Sequence, residues 1–220
     1  MLIEMGISRA GFGAYNFATY IRKMKRFFSL FILLHVAFCL FAQEAPEGLF
    51  INSKAPDFKA TDQSGNEVRL KDLLKKGKVV LLFYRGNWCP HCNRYLKKLE
   101  DSLSLIKEKG ATVVAITAEL PEGIARTVGK TSAEFPILHD ENLKIMKAYE
   151  VEYLVPENTI TRYRNSGIKL DEINGNKNGN YLPIPATYII DKEGNIIYRH
   201  FQEDYKKRPS VKELLDQLSK

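Results

Sequence analysis

The sequence predicts an α/β protein with a mixed sheet that has helices on both faces. Two runs, residues 79–84 and 112–117, are apolar almost throughout, as expected for strands that are covered on both faces. Between them, apolar residues recur at spacings of three and four, which indicates an amphipathic helix. A strand, a helix and a strand in this order predict a right-handed crossover and a parallel strand pair.

The remaining elements follow from turn signals and periodicity. Apolar residues on either side of the turn-forming segment 62–66 predict a hairpin over residues 56–70. The amphipathic helix is predicted over residues 90–109, because Gly110 ends it. Its apolar stripe consists of Leu96, Leu99, Leu103 and Ile106. The other predicted elements are a short helix at 121–129, an extended piece at 135–138, a helix at 141–149, a hairpin of residues 186–190 and 196–200, and a closing helix at 211–218.

Residues 151–182 interrupt this pattern. The segment is rich in polar and turn-forming residues, and Asn and Gly dominate its centre at 174–180. We therefore predict an insertion loop at this position and no separate domain.

The N-terminus predicts export. Lys25 and Arg26 precede an apolar run at residues 27–42, which is typical of a signal peptide. The run is shorter than the ~20 residues that a spanning helix needs, so a signal peptide is favoured over a membrane anchor. Cleavage is expected after Ala42, and Met24 is the better start codon. Residues 1–42 are thus an extension and signal peptide, residues 43–220 are one domain, and the mature protein is periplasmic or secreted. A lipoprotein at Cys39 is the alternative, but the large residue Phe38 precedes it.

Export changes the charge of the mature chain. The first 42 residues hold five of the 33 basic residues and one of the 26 acidic ones, which leaves a net charge of +3 where the whole chain has +7. Most of the apparent basicity belongs to the targeting segment, so no nucleic-acid partner is predicted. No stable membrane span is expected after cleavage.

The cysteines indicate redox chemistry. Without Cys39, two of the three cysteines remain, Cys89 and Cys92. In an oxidising compartment such a pair forms a disulfide or a redox switch. A structural disulfide stabilises more when it closes a long loop, and this one would enclose very few residues. A redox function is therefore favoured over a purely structural disulfide.

The position of Cys89 favours a thiolate. It follows a strand and precedes a helix, since Pro90 suits the first helical position. Unpaired N–H groups and the dipole at a helix start stabilise negative charge, and only the thiolate is nucleophilic. Cys92 lies about one helical turn further on, within reach of Cys89 but less exposed. We predict that Cys89 attacks and that Cys92 resolves the intermediate into a disulfide.

Three segments carry a family resemblance. They are residues 83–92 (FYRGNWCPHC), 182–191 (LPIPATYIID) and 204–208 (DYKKR). From about residue 53 to 218 the chain resembles the thioredoxin-fold superfamily and, within it, the AhpC/TSA (peroxiredoxin-like) family. The resemblance implies a thioredoxin-like three-layer α/β/α sandwich with a mixed central sheet.

The resemblance also implies residue roles. Cys89 would be the peroxidatic cysteine and Cys92 the resolving one. Pro185 matches the proline that is cis in this fold and faces the redox cysteines; an ordinary trans turn proline is the alternative. Typical peroxiredoxins carry a proline seven residues and a threonine three residues before the attacking cysteine, where this chain has Leu82 and Gly86. The threonine hydroxyl helps to hold the peroxide there. The pattern RGxWCPxC resembles a divergent branch that also lacks it.

Three neighbours of the cysteines have two interpretations each. In a functional role, Arg85 stabilises the Cys89 thiolate or orients a peroxide. The alternative is a solvated arginine at a strand end. Trp88 either shields the disulfide and forms a docking surface, or it is a packed surface aromatic. His91 as an imidazolium would lower the pKa of Cys89, as the same Pro-His pair does in DsbA-like proteins, or it is an exposed spacer.

The other charged and metal-ligating residues suggest no further site. A structural zinc site needs four ligands at recognisable spacings, and Cys89, Cys92, His91 and a distant histidine such as His139 do not provide them. No metal and no cofactor is therefore predicted. The basic stretches at 75–78 and 206–208 are interpreted as solvated edges.

Two functions fit these observations. The first is an exported thiol-dependent peroxidase, in which a hydroperoxide oxidises Cys89 to a sulfenic acid and Cys92 condenses with it. A thioredoxin-like or membrane-linked thiol partner would then reduce the disulfide. The alternative is a TlpA/DsbA-like thiol-disulfide oxidoreductase that exchanges disulfides with other proteins. A redox-inert binding domain is disfavoured by paired thiols at a helix start.

Overall fold

The computed structural model describes residues 20–25 and 46–220. Residues 20–25 are helical, and residues 45–220 form a unit of their own, distinct from residues 1–44. The apolar run at 27–42, the expected cleavage site and Cys39 lie outside the described residues. Within the described ranges, no helix has both the length and the apolar character that crossing a membrane requires.

The described chain alternates short strands and helices. The strands are β1 (Lys59–Thr61), β2 (Glu67–Arg69), β3 (Lys78–Phe83), β4 (Ala111–Thr117), β5 (Ile137–His139), β6 (Glu152–Leu154), β7 (Tyr181–Pro183), β8 (Ala186–Ile190) and β9 (Ile196–Phe201). The helices are α1 (Leu70–Leu74), α2 (Pro90–Asp101), α3 (Leu103–Glu108), α4 (Pro121–Thr131), α5 (Lys144–Ala148), α6 (Glu157–Asn165), α7 (Leu170–Asn178) and α8 (Val211–Leu218). A 3₁₀ turn at Glu141–Leu143 leads into α5.

The central sheet has the strand order β5-β4-β3-β8-β9. Strands β3 and β4 pair in parallel, as do β4 and β5, whereas β8 is antiparallel to β3 and β9 is antiparallel to β8. The parallel pair and the C-terminal hairpin predicted from the sequence are confirmed. The N-terminal hairpin of β1 and β2 is also present, and Asp62 accepts hydrogen bonds from two backbone N–H groups in its turn.

Strand β3 lies at the centre of a three-layer structure. Its side chains alternate between two faces, as the geometry of a strand requires. Val80 and Leu82 point to the layer of α2, α3, α4 and α8. Val79, Leu81 and Phe83 point to the layer of α1, α5 and the N-terminal hairpin. The predicted α/β/α sandwich with a mixed sheet is confirmed.

The predicted helix at 90–109 is two helices. Ser102 separates α2 from α3, because its backbone leaves the helical region at φ −114° and ψ 10°. The apolar stripe still continues across the break, and its four residues are buried: Leu96, Leu99, Leu103 and Ile106. The periodicity therefore predicted the buried face correctly and missed the interruption.

The prediction of a loop at 151–182 is wrong. Strands β6 and β7 pair antiparallel and enclose α6 and α7, so the insertion has regular structure and a small apolar cluster of its own. The asparagines that led to the prediction of turns help to explain why the segment is ordered. Asn174 donates to the carbonyls of Gly179 and Tyr181, and Asn178 donates to those of Ala118 and Asp140. Buried amides thus satisfy backbone carbonyls that the loops would otherwise leave unpaired.

Candidate active site

Cys89 lies at the start of helix α2. It is the N-cap residue with extended backbone, and Pro90 is the first helical residue. The N–H of Cys92 donates to the Cys89 sulfur at 3.3 Å, so the helix start provides the hydrogen bond that a thiolate at this position needs. The predicted placement of the residue 89 sulfur between a strand and a helix is confirmed.

Cys89 and Cys92 are joined as a disulfide. Their Cα atoms are 5.3 Å apart, within the usual range for a disulfide. Both residues are only 1% exposed. The disulfide is therefore formed within one helical turn and lies beneath neighbouring side chains.

Arg208 contacts the disulfide from the segment before α8. Its guanidinium donates to the carbonyl of Phe83 at 3.0 Å, and a second nitrogen lies 3.8 Å from the sulfur of Cys92. Burial lowers the pKa of Arg208 to about 10, with nearby Tyr95 acting in the opposite direction. The side chain remains cationic at neutral pH. The interpretation of residues 206–208 as a solvated edge is wrong for Arg208, because the fold turns it inward against Tyr95 and Cys92.

Arg85 is buried and enclosed by aromatic rings. It is 4% exposed, and its guanidinium carbon lies 4.0 Å from the centre of the Tyr205 ring and 4.5 Å from that of Trp88. It donates to the hydroxyl of Tyr163 in α6. The solvated alternative for Arg85 is therefore wrong. Among the described residues its hydrogen bond goes to Tyr163 and not to a cysteine sulfur.

Trp88 connects the cysteine segment to the insertion. Its ring packs on Tyr163 with the ring centres 5.3 Å apart, and it borders both the main core and the small core of the insertion. The insertion thus reaches the residues that precede Cys89. The sequence pattern predicted an insertion at 151–182 but did not identify Tyr163 as its contact with Trp88.

His91 is half-buried between the two cysteines. Its ring meets Tyr205 edge-on, with the centres 5.7 Å apart, and Arg94 approaches Nδ1 at 3.0 Å. Arginine has only donors, so His91 Nδ1 faces a donor in this contact. Among the described residues, no hydrogen bond joins His91 to either cysteine sulfur; its ring contacts are with Tyr205 and Arg94.

Glu119 supports the loop before Cys89. Its buried carboxylate accepts from the N–H of Asn87 at 2.9 Å and from the Asn87 side-chain amide at 2.6 Å. Burial raises the pKa of Glu119 to about 7, and the hydrogen bonds from Asn87 oppose that shift. Lys130 donates to the Asn87 carbonyl at 2.8 Å. No local sequence pattern marks this cluster, because Glu119 follows its strand as an ordinary polar residue would.

Pro185 lies at the same end of the sheet as the cysteine segment. It stands two residues before Thr187, which pairs with Leu82. The expected cis bond is not found, since every described peptide bond is trans. On either side of this bond, the N–H of Ile184 donates to the carbonyl of Val151, and the carbonyl of Pro185 accepts from the N–H of Gln202.

The described residues offer no metal centre. Within residues 20–25 and 46–220, no three side chains of His, Cys, Asp or Glu are grouped as ligands would be.

Comparison with known proteins identifies a family and several relatives. The family model described as the AhpC/TSA family matches residues 51–199, well over half of the chain. The thiol-disulfide oxidoreductase ResA of Bacillus cereus is 27% identical over 163 residues, which cover 74% of this chain and 76% of the relative. ResA of Geobacillus thermodenitrificans is 24% identical over 176 residues, which cover 79% of this chain and 83% of the relative.

Solved structures support the fold. Peroxidoxin BcpB from Mycobacterium tuberculosis superposes with a TM-score of 0.59 at 21% identity, covering 77% of this chain and 96% of that one. The reduced 2-Cys peroxiredoxin of Plasmodium vivax superposes with a TM-score of 0.58 at 18% identity, covering 78% of this chain and 95% of that one. With the family match, the central sheet and the cysteine pair at a helix start, these findings confirm the predicted family. The chain belongs to the AhpC/TSA family and is a thioredoxin-fold oxidoreductase.

Proposed function

We propose that this protein is an exported thiol-disulfide oxidoreductase that exchanges disulfides with partner proteins. One observation carries the proposal: Cys89 and Cys92 are already paired within a single helical turn, with Cys89 at the helix start. Cys92 is therefore close enough to attack a mixed disulfide on Cys89, as the resolving step requires. The names of the ResA relatives agree with this chemistry.

In the reduced protein, the Cys89 thiolate attacks one sulfur of a partner disulfide. A bond forms between Cys89 and that sulfur, and the other partner sulfur leaves as a thiolate with the bonding electron pair. The Cys92 thiolate then attacks Cys89, closes the 89–92 disulfide and releases the second partner sulfur. The partner gains two electrons, and this protein is oxidised by two.

In the reverse direction, a partner thiolate attacks Cys89 and Cys92 is the leaving group. A thiolate leaves faster when its conjugate thiol has a lower pKa. The cationic guanidinium of Arg208, 3.8 Å from the Cys92 sulfur, stabilises negative charge on that atom. We assign Arg208 the role of stabilising the Cys92 thiolate in both directions.

The surroundings of residue 86 favour disulfide exchange over peroxide reduction. Typical peroxiredoxins have a threonine here, whereas Gly86 has φ +148° and touches its neighbours closely. A Cβ at this position would lie 2.5 Å from a Glu119 carboxylate oxygen and 2.6 Å from the Trp88 indole nitrogen. A side chain at residue 86 would be crowded and its backbone strained, and glycine supplies no hydroxyl to hold a peroxide.

The proposed compartment follows from the N-terminal sequence. Lys25, Arg26 and the apolar run at 27–42 have the pattern of a signal peptide, which would deliver the domain to an oxidising compartment. The partners there would be proteins with exchangeable cysteines. A thioredoxin-like or membrane-linked dithiol would keep this protein reduced if it works as a reductant.

Stopped-flow fluorescence tests the choice between the two reactions. Trp88 is the only tryptophan of the chain, so its emission reports on the adjacent cysteines. The reduced protein is mixed either with a peptide disulfide or with hydrogen peroxide, each in micromolar excess. We expect oxidation by the disulfide within seconds and reaction with peroxide no faster than that of free cysteine. Fast oxidation by peroxide with slow exchange would instead establish the peroxidase.

A further inference from the structure

A groove of about 520 Å³ opens beside the disulfide. One wall is the outer face of helix α2, and the other is the segment that leads into α8. The ionisable side chains that line it are His91, Arg94, Lys98, Asp101, Lys206 and Arg208. Four permanent cations therefore face one carboxylate.

The single carboxylate does not neutralise the groove. Asp101 is paired with Lys97, which lies outside the groove, at 2.5 Å. Arg94, Lys98 and Lys206 are exposed and form no ion pair with any residue in the described part of the chain. Their charge is thus available to a ligand.

The groove borders side chains that surround the buried sulfurs. Arg208 lines it and also contacts the Cys92 sulfur. His91 lines it from its position between the two cysteines. A chain bound in the groove therefore lies one side chain, that of Arg208, away from the Cys92 sulfur.

The spacing of the cations fits an extended peptide. Arg94 and Lys98 are four residues apart in α2, which separates them by about 6 Å along the helix axis. Side chains two residues apart on one face of an extended chain are about 7 Å apart. Two carboxylates in the pattern Glu-x-Glu can therefore meet both cations at once.

We propose that this groove binds an acidic segment next to the reactive cysteine of the partner protein. The inference rests on the proposed function and adds the chemistry of the partner to it. Exposed ion pairs contribute little to affinity individually. A cluster of one sign next to a reactive site acts mainly by steering, which raises association rates by 10-fold or more at low ionic strength.

Three peptides and two triple variants test the proposal. The three peptides have the same length, and each contains one intramolecular disulfide. They differ in the residues that flank one of the two cysteines, which are Glu, Gln or Lys. The variant Arg94→Glu/Lys98→Glu/Lys206→Glu reverses the groove without altering the cysteines or Arg208. The variant Lys76→Glu/Lys107→Glu/Lys109→Glu makes the same change in net charge at exposed lysines outside the groove. Oxidation of each reduced protein is followed through Trp88 at low and at 0.5 M salt.

We expect the wild-type protein and the control variant to oxidise with the Glu peptide about tenfold faster than with the Lys peptide at low salt. Salt should reduce the ratio of the Glu-peptide rate to the Lys-peptide rate towards one. In the groove variant this preference should be absent or inverted. Equal rates for all three peptides, or equal losses in both variants, would overturn the groove assignment while leaving disulfide exchange intact.

A binding measurement separates this proposal from the proposed function. A fluorescently labelled Glu-rich peptide without cysteine is titrated with the oxidised wild-type protein and with the groove variant at low salt. Binding that the groove variant loses supports the groove even if no peptide disulfide is exchanged, in which case the proposed function fails. If the wild-type protein and the groove variant have the same oxidation rates and the same peptide affinity, the proposal that the groove binds an acidic segment is overturned.

Discussion

The guanidinium of Arg208 lies 3.8 Å from the sulfur of Cys92 and donates to the carbonyl at the end of strand β3. The segment before α8 therefore places a fixed positive charge at the second cysteine, whereas the helix start acts on the first. A thiolate at Cys92 is stabilised by Arg208, and a thiolate at Cys89 is stabilised by the start of helix α2. A substitution of Arg208 therefore changes the surroundings of Cys92 and leaves the start of helix α2 intact.

Replacing Arg208 by Met should make the disulfide less oxidising. Without the cation, the Cys92 thiolate of the reduced protein is less stable, which disfavours the reduced form. The reduction potential should fall by ~30 mV, measured by Trp88 fluorescence in glutathione redox buffers. Arg208→Lys should retain most of the wild-type value. Arg199→Met, which removes a guanidinium packed over Phe50 and Phe201, is the control. An unchanged potential in Arg208→Met would contradict the role of Arg208.

Glu119 should make stability depend on pH between about 4.5 and 7. The folded protein keeps the Glu119 proton up to a pKa of about 7, whereas the unfolded chain releases it near 4.5. In this window the folded state binds more protons, so the free energy of unfolding decreases as pH rises. Protonation of Glu119 contributes about 3 kcal/mol to the free energy of unfolding. This stabilisation is complete below pH 4.5 and is lost above pH 7.

The variant Glu119→Gln isolates this effect. The amide oxygen still accepts from Asn87 but does not titrate, so urea unfolding between pH 5 and 8 should show a smaller decrease than in the wild type. Glu108→Gln changes an exposed carboxylate and serves as the control. Parallel curves for wild type and Glu119→Gln would show that Glu119 does not titrate in this range.

The hydroxyl of Tyr163 should contribute to stability through Arg85. Tyr163→Phe removes the acceptor of a buried guanidinium, which costs about 1–3 kcal/mol in the free energy of unfolding. Tyr205→Phe is a matched control, because the Tyr205 ring stacks on Arg85 while its hydroxyl forms no hydrogen bond with the described residues. Equal urea midpoints for the two variants would show that the Arg85–Tyr163 bond contributes nothing.

Asn178 should be required for the fold of the insertion. Asn178→Asp keeps the shape but replaces the donor to two carbonyls with a buried acceptor, so we expect a loss of at least ~2 kcal/mol in the free energy of unfolding. Asn176→Asp, at an exposed position of the same helix, introduces the same charge and should change stability by less than ~0.5 kcal/mol. The prediction fails if the two variants unfold at the same urea concentration.

Local sequence patterns predicted the elements that position the cysteines. Strand β3 is apolar because both of its faces are covered, and the stripe from Leu96 to Ile106 marks the buried side of two consecutive helices. Pro90 marks a helix start in the sequence as it does in the structure. These features depend on neighbours within a few residues, which is the range over which a single sequence is informative.

The parts that the sequence did not predict depend on distant contacts. Asn178 is bonded to Ala118, which is 60 positions away, so a turn-forming composition became a helix. Arg208 stands in a basic tripeptide, and only the fold distinguishes it from its solvated neighbours. Glu119 and Asn87 are 32 positions apart and meet only because β3 and β4 are adjacent.

The central claim is that Cys89 attacks the partner and Cys92 resolves the intermediate. Mass spectrometry of the reduced Cys92→Ser and Cys89→Ser proteins after incubation with a peptide disulfide tests it directly. We expect Cys92→Ser to retain a stable mixed disulfide at Cys89, because the resolving thiolate is missing, and Cys89→Ser to remain largely unmodified. A mixed disulfide on Cys92 in the Cys89→Ser protein, with none on Cys89 in the other variant, would contradict the assignment.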